Sequence, residues 1–263
     1  MTLVPSGSPG AEPETAQRRV SSRPALSFLA VVVAGIALSI RLIAPAAQTG
    51  RTPPALYVYL QTDTKVAELE RVLKAQLSGL KVTVFGRFRD FEEAMLARPP
   101  EAVMGLNMLL TQQGVRPSLQ GLRDKQDAES YALVSVGTPL DLPVAGKTIG
   151  AVDLLGREGT QSFVATLVGS ANIKVKRVTK SEDLLALLQF AAVDAVLVPK
   201  LFVNTLAERS RMPLRARDLG GVRIKLPAIG VRDPAARPLV LQQIQNLDRA
   251  TNQILGVDEW RTQ

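Results

Sequence analysis

The spacing of apolar positions changes several times along the chain, and each change predicts an element. Leu26–Ile40 is one continuous apolar run broken only by small residues, followed by Arg41, Leu42 and Ile43. Beyond residue 54 the runs become short or periodic. Leu56–Leu60, Val82–Phe85 and Ala102–Leu106 have the length and composition of strands. Between the first two, Val66, Leu69, Val72, Leu73 and Leu77 recur at helical spacing. Thr62-Asp63-Thr64 supplies side chains that suit the start of that helix, and Gly79 ends it. Asp90 with Glu93 forms a capping-box pattern for a second helix through Met95 and Leu96, stopped by Pro99-Pro100. The order strand, helix, strand, helix, strand predicts a parallel α/β unit with right-handed crossovers.

Residues 107–130 are less regular, with helical turns expected around Leu109 and Leu119. Tyr131–Val136 reads as a strand, and the turn-rich passage Gly137–Gly146 as a crossing between lobes. A second α/β unit follows. Its strands are Thr148–Val152, Ile173–Val178 and Ala195–Val198. Thr160 is expected to cap a helix carrying Phe163, Val164, Leu167 and Val168. Thr179 with Glu182 opens a helix through Leu188, and Leu201–Glu208 gives another. Val222–Leu226 and Ala228–Val231 are strands around Pro227, and Pro238–Leu255 reads as one closing helix.

These elements predict an α/β, two-lobed architecture with two crossings between lobes, preceded by one N-terminal hydrophobic helix. Residues 1–23, rich in Pro, Ser, Gly and Ala, are expected to be disordered. Residues 24–44 form a signal peptide or a transmembrane anchor, and 45–54 a linker. Arg18, Arg19 and Arg23 hold the N-terminus in the cytoplasm, which places the rest outside it. Ala44-Pro45-Ala46 offers a cleavage pattern, whereas Arg41 can snorkel and let the run reach spanning length; both readings stand. Lobe 1 is expected over 55–140 and 227–263, and lobe 2 over 141–226.

Composition narrows the chemistry. The chain has 263 residues, no cysteine and no histidine, so thiol nucleophiles, disulfides, thiolate zinc sites and imidazole bases are excluded. Glu92-Glu93 needs no role beyond helix start and solvation, and no Gly-x-x-x-x-Gly-Lys phosphate loop occurs. Asp153 with Glu158, or Ser135 or Ser162 with Lys147, lacks any spacing signature of a hydrolase. Binding without catalysis, cofactor or metal is the expectation. The net charge of +8 is spread along the chain, densest at Arg209, Arg211, Arg215 and Arg217. That cluster is a solvated face or an attractor of anions or lipid headgroups. Only 4% of residues are aromatic, and no nucleic-acid-binding motif is present, so nucleic acid is not an expected partner.

Three stretches carry a family likeness: Val144–Gly169, Lys180–Lys200 and Leu226–Leu247. Together with the element order over roughly 55–260, they resemble the type II periplasmic solute-binding proteins, particularly the phosphonate-binding components of ABC transporters. The first looks like the opening strand, ligand loop and helix of lobe 2. The second contains Ala192-Val193-Asp194-Ala195 before a strand, and the third looks like the return to lobe 1. The resemblance implies a small polar solute, with phosphonate- or phosphate-like anions as candidates, bound between lobes, and an ABC permease as partner. The alternative is a membrane-anchored envelope protein that uses the fold for a protein partner.

In α/β sheets ligands bind beyond the carboxyl ends of strands. That rule selects Thr62, Asp63 and Thr64 after the first strand, and Asn107 after the third. It also selects Gly159, Thr160 and Gln161 before a helix, and Lys200 after Val198. Thr138 near the expected crossing is a further candidate. Thr160 and Thr64 are the expected anion contacts, because helix starts present free N–H groups and the positive dipole end.

Overall fold

The structure, a computed structural model, describes residues 52–62 and 64–263. The hydrophobic segment at 24–44, its flanks and Asp63 lie outside the described residues.

The first parallel unit is β1 (Ala55–Tyr59), α1 (Val66–Gln76), β2 (Lys81–Val84), α2 (Phe88–Ala97) and β3 (Ala102–Leu106). Alternation on β1 sorts its side chains. Leu56 and Val58 face a core that includes Leu69, Leu73 and Leu77 of the α1 region, while Tyr57 and Tyr59 face the other way. A short helix, α3 (Asn107–Gln112), leads to β4 (Pro117–Leu122). Leu119 is therefore in a strand, not a helical turn; residues 117–122 are buried or nearly so on both faces.

The chain then leaves the first sheet. Arg123 and Gln126 bridge a tight turn, in which Asp124 and Lys125 have φ of 50° and 62°. It enters the second sheet as β5 (Ala128–Val136). The crossing thus lies at 123–127, earlier than the expected break at 140. The reason is pairing: β5 is antiparallel to a strand on each side, in the middle of the second sheet. Gly137–Gly146 only connects β5 to β6 (Thr148–Val152) within that sheet.

The second unit continues with α4 (Gly156–Val168), β7 (Lys174–Val178), α5 (Glu182–Gln189), β8 (Ala195–Pro199), α6 (Phe202–Arg209) and β9 (Leu214–Lys225). The strand expected at 222–226 is the end of the twelve-residue β9. Leu226 makes the return, its N–H bonded to Asp127 O at 2.8 Å, so the two crossings run side by side. β10 (Pro227–Val231) pairs antiparallel with β3 and β4. The expected closing helix is two, α7 (Arg237–Gln245) and α8 (Arg249–Ile254). Asp248 separates them by accepting the Thr251 N–H, as an N-cap does. A final strand, β11 (Glu259–Thr262), adds to β4.

Two sheets result, ordered β11-β4-β10-β3-β1-β2 and β7-β6-β8-β5-β9. One apolar cluster stays within the first lobe. The other runs from Tyr59, Phe88, Phe91 and Leu110 of lobe 1 into Leu133, Ile149, Leu155 and Val164 of lobe 2. The lobes share a core.

Candidate functional site

The shared core divides the space between lobes into two regions. The first is packed in its interior, with a cleft of about 410 Å³ at its rim where Arg89, Glu92, Arg157, Glu158, Gly159 and Arg177 stand. Tyr59, Phe88 and Phe91 form an aromatic cluster with ring centroids 5.6–6.3 Å apart. Against it lies the loop after β6. Gly156 there has φ +74°, and a Cβ on it would sit 2.5 Å from Phe88 Cε1. Only glycine admits both that backbone and that ring. Tyr59 donates its hydroxyl to Asp153 O, and Gln112 Nε2 donates to Leu155 O at 3.3 Å. Burial, and then the Asp153 charge, push the Tyr59 phenol well above its ordinary value, so it remains a donor.

The second region is open. Beside the crossings lies a cavity of about 350 Å³, within the range of small-ligand sites. Lobe 1 contributes Leu60, Gln61, Thr62, Thr64, Leu106 and the segment 253–258. Lobe 2 contributes Glu129, Tyr131, Pro199, Leu201 and Phe202. Arg123, on the first crossing, completes it. Arg123 Nε is 2.9 Å from Gly256 O, Nη2 donates to the same carbonyl, and Nη1 is 3.0 Å from Glu129 Oε2. The guanidinium thereby ties both lobes and the C-terminal segment together. Burial raises the Glu129 carboxyl above its ordinary value, although Arg123 opposes that shift. Burial, reinforced by Glu129, raises the Tyr131 phenol.

The residues selected from sequence separate on this map. Thr62 and Thr64 line the cavity. They do not cap α1, whose N-cap is Lys65; Thr62 Oγ1 instead accepts the Thr64 N–H at 3.0 Å and closes a local turn. Asn107 is not in the lining, because Nδ2 is turned to the buried Gln120, 3.2 Å away, which in turn donates to Leu226 O. Gly159, Thr160 and Gln161 are not at a helix start, since α4 begins at Gly156. Thr160 is fully buried; it accepts the Leu155 N–H and donates to Asp153 Oδ1 at 3.0 Å. Gln161 donates to Ile173 O. Lys200 pairs with Asp218 on the neighbouring surface, outside the cavity. Thr138 is exposed beyond the end of β5. Tyr131 pairs with Pro199 and Ser135 with Ala195, so that end of β5 points away from the cavity.

Arg123, Glu129, Tyr131, Phe202 and Asp258 were not selected from sequence. Glu129 and Tyr131 are two apart on β5 and so share a face, but the strand read from sequence begins only at Tyr131. Phe202 follows the β8 end two residues after Lys200, while Arg123 and Asp258 reach the cavity only through the crossing and the C-terminal fold-back.

No protein-family profile matches the chain, and no curated protein matches its sequence. Solved structures do match in fold. A Xanthomonas citri protein bound to ATP superposes with TM-score 0.57 at 12% identity, over 80% of this chain and 91% of that one. A binding protein component of an ABC phosphonate transporter from Pseudomonas aeruginosa gives 0.54 at 10% identity, over 81% and 82%. A putative L-cystine ABC transporter protein from Listeria monocytogenes gives 0.50 at 14% identity, over 79% and 98%. The described residues have the two-lobed, type II periplasmic-binding-protein fold. Such low identities carry the fold and leave the ligand to be argued from the cavity.

Proposed function

We propose that this chain is an extracytoplasmic solute-binding protein that holds one small solute in the interlobe cavity, for ABC-type uptake or for sensing. One observation carries the proposal: both lobes and a crossing contribute to a cavity of about 350 Å³ at the carboxyl ends of β1, β3 and β8. A hinge at the paired crossings is the natural place for closure. The apolar share of the lining favours a solute with a hydrocarbon body over a bare phosphate. The phosphonate-like form of the reading finds little support, because the one cation in the described lining, Arg123, is engaged with Glu129 and Gly256.

The packed region favours a second reading, an envelope protein whose lobes stay closed and which binds another protein. Thermal unfolding against a panel of amines, amino acids, sugars, carboxylates and phosphonates separates the two. A solute that raises the melting temperature, and loses that effect when Thr64→Trp fills the cavity, supports solute binding. A melting temperature unmoved by every member of the panel rejects it in favour of the second reading.

A further inference from the structure

The cavity's charges select among solutes, an inference that rests on the solute-binding reading above. Among the described residues, three charged side chains line it: Arg123, Glu129 and Asp258. Arg123 directs Nε and Nη2 at one carbonyl and Nη1 at Glu129. It acts as a strut between elements, with three of its N–H donors aimed at protein. Glu129 gives only Oε2 to that contact; Oε1 accepts no hydrogen bond from any described residue. Asp258 uses Oδ2 to accept the Asp124 N–H at 2.8 Å, and its side chain is otherwise exposed. The same cavity is also lined by Tyr131, Phe202 and the aliphatic Leu106 and Leu201. An acidic head site beside aromatic and aliphatic walls matches a positive group on an apolar body. A cation gains from the carboxylates, while among the described residues an anion meets two negative side chains and one guanidinium already bonded to Glu129 and Gly256.

We infer that the cavity takes an organic cation, a protonated amine with an aromatic or aliphatic body, whose head group meets Glu129 Oε1. The walls exclude a purely hydrophilic cation from much of its contact area, so the body contributes affinity and the amine contributes orientation.

Phenethylamine, 3-phenylpropionate and phenethyl alcohol share a body and differ in charge. Thermal unfolding of the full chain with each is the test. The amine is expected to raise the melting temperature at millimolar concentration, with the carboxylate and alcohol giving smaller shifts or none. Glu129→Gln keeps an acceptor for Arg123 and is expected to weaken amine binding about tenfold by titration calorimetry. Asp258→Asn, away from the strut, is expected to weaken it less. A shift from the carboxylate or alcohol equal to that from the amine overturns the inference and leaves solute binding standing. Unchanged amine affinity in both variants overturns it too, even where Glu129→Gln alters stability. Failure of these three probes together with every solute of the broader panel removes the binding reading itself.

Discussion

The two regions between the lobes differ in how they use the same kind of strand end. After β6, the chain fills the gap: Leu154 and Leu155 join an apolar cluster with Phe88 and Phe91, and Gly156 lets the Phe88 ring come close. After β1 and β8 the chain leaves a gap, bounded by Thr62, Thr64, Leu201 and Phe202. The difference teaches that carboxyl strand ends offer a place for a ligand without requiring one. Side chains decide: at the β6 end the apolar interior is filled and what space remains is a charged cleft at the rim, lined by Arg89, Arg157 and Arg177, while the end near the crossings keeps a cavity between the lobes. The closed patch holds the lobes together. The cavity beside it provides the space in which a solute is proposed to sit.

The strongest way to break that contrast is to remove the packed patch. Phe91 is fully buried within it, and Phe91→Ala is expected to cost about 3–5 kcal/mol in denaturant unfolding, with cooperativity between lobes reduced. Gly156→Val combines a left-handed backbone with a clash against Phe88; about 2–4 kcal/mol is expected by the same measurement. Tyr59→Phe removes one interlobe hydrogen bond and is expected to cost about 1 kcal/mol, with faster amide exchange in the loop after β6. On the cavity side, Leu201 is 51% exposed, and Leu201→Ala is expected to change stability by less than about 0.5 kcal/mol while weakening solute binding. A large loss there and a small one at Phe91 would reverse the contrast.

Acid sharpens it further. The Glu129 carboxyl sits above its ordinary value through burial. A raised folded value means that its contribution to stability is complete below the unfolded value and lost as pH rises through the folded one. Stability relative to Glu129→Gln is therefore expected to rise as pH falls through that raised value. Amine binding is expected to weaken over the same fall in pH, because protonation removes the charge that a cation contacts. Asp194 gives the opposite sign. The Thr148 N–H, and then Lys147, hold it below its ordinary value, so the support it gives to the start of β6 is lost as pH falls through that lowered value.

The sequence made the two α/β units legible because their apolar spacing is regular and their stops are Gly or Pro. Leu69, Leu73 and Leu77 are buried as helical period requires, and Gly169 ends α4 with φ +70°. The crossing was displaced for a physical reason. Pro139 and Pro143 are louder turn signals than Asp124-Lys125, two non-glycine residues held at positive φ by the surrounding pairing. Of the candidate site, Thr62 and Thr64 were legible from their place after a strand. Thr160 was misplaced because its hydroxyl closes the loop before α4 from inside the helix, where spacing alone reads it as a cap. Arg123, Glu129 and Asp258 become neighbours only through β11 folding back on β4 and the side-by-side crossings, contacts between distant parts of the chain that periodicity does not encode.

Amide hydrogen exchange with and without phenethylamine tests the central claim most directly. Binding between the lobes predicts slower exchange at 60–62, 129–131 and 200–202 together, one set from lobe 1 and two from lobe 2. Phe88, Phe91 and residues 154–156, already packed, are predicted to stay unchanged. Protection confined to one lobe, or appearing at the packed patch alone, would contradict a solute held across the cavity.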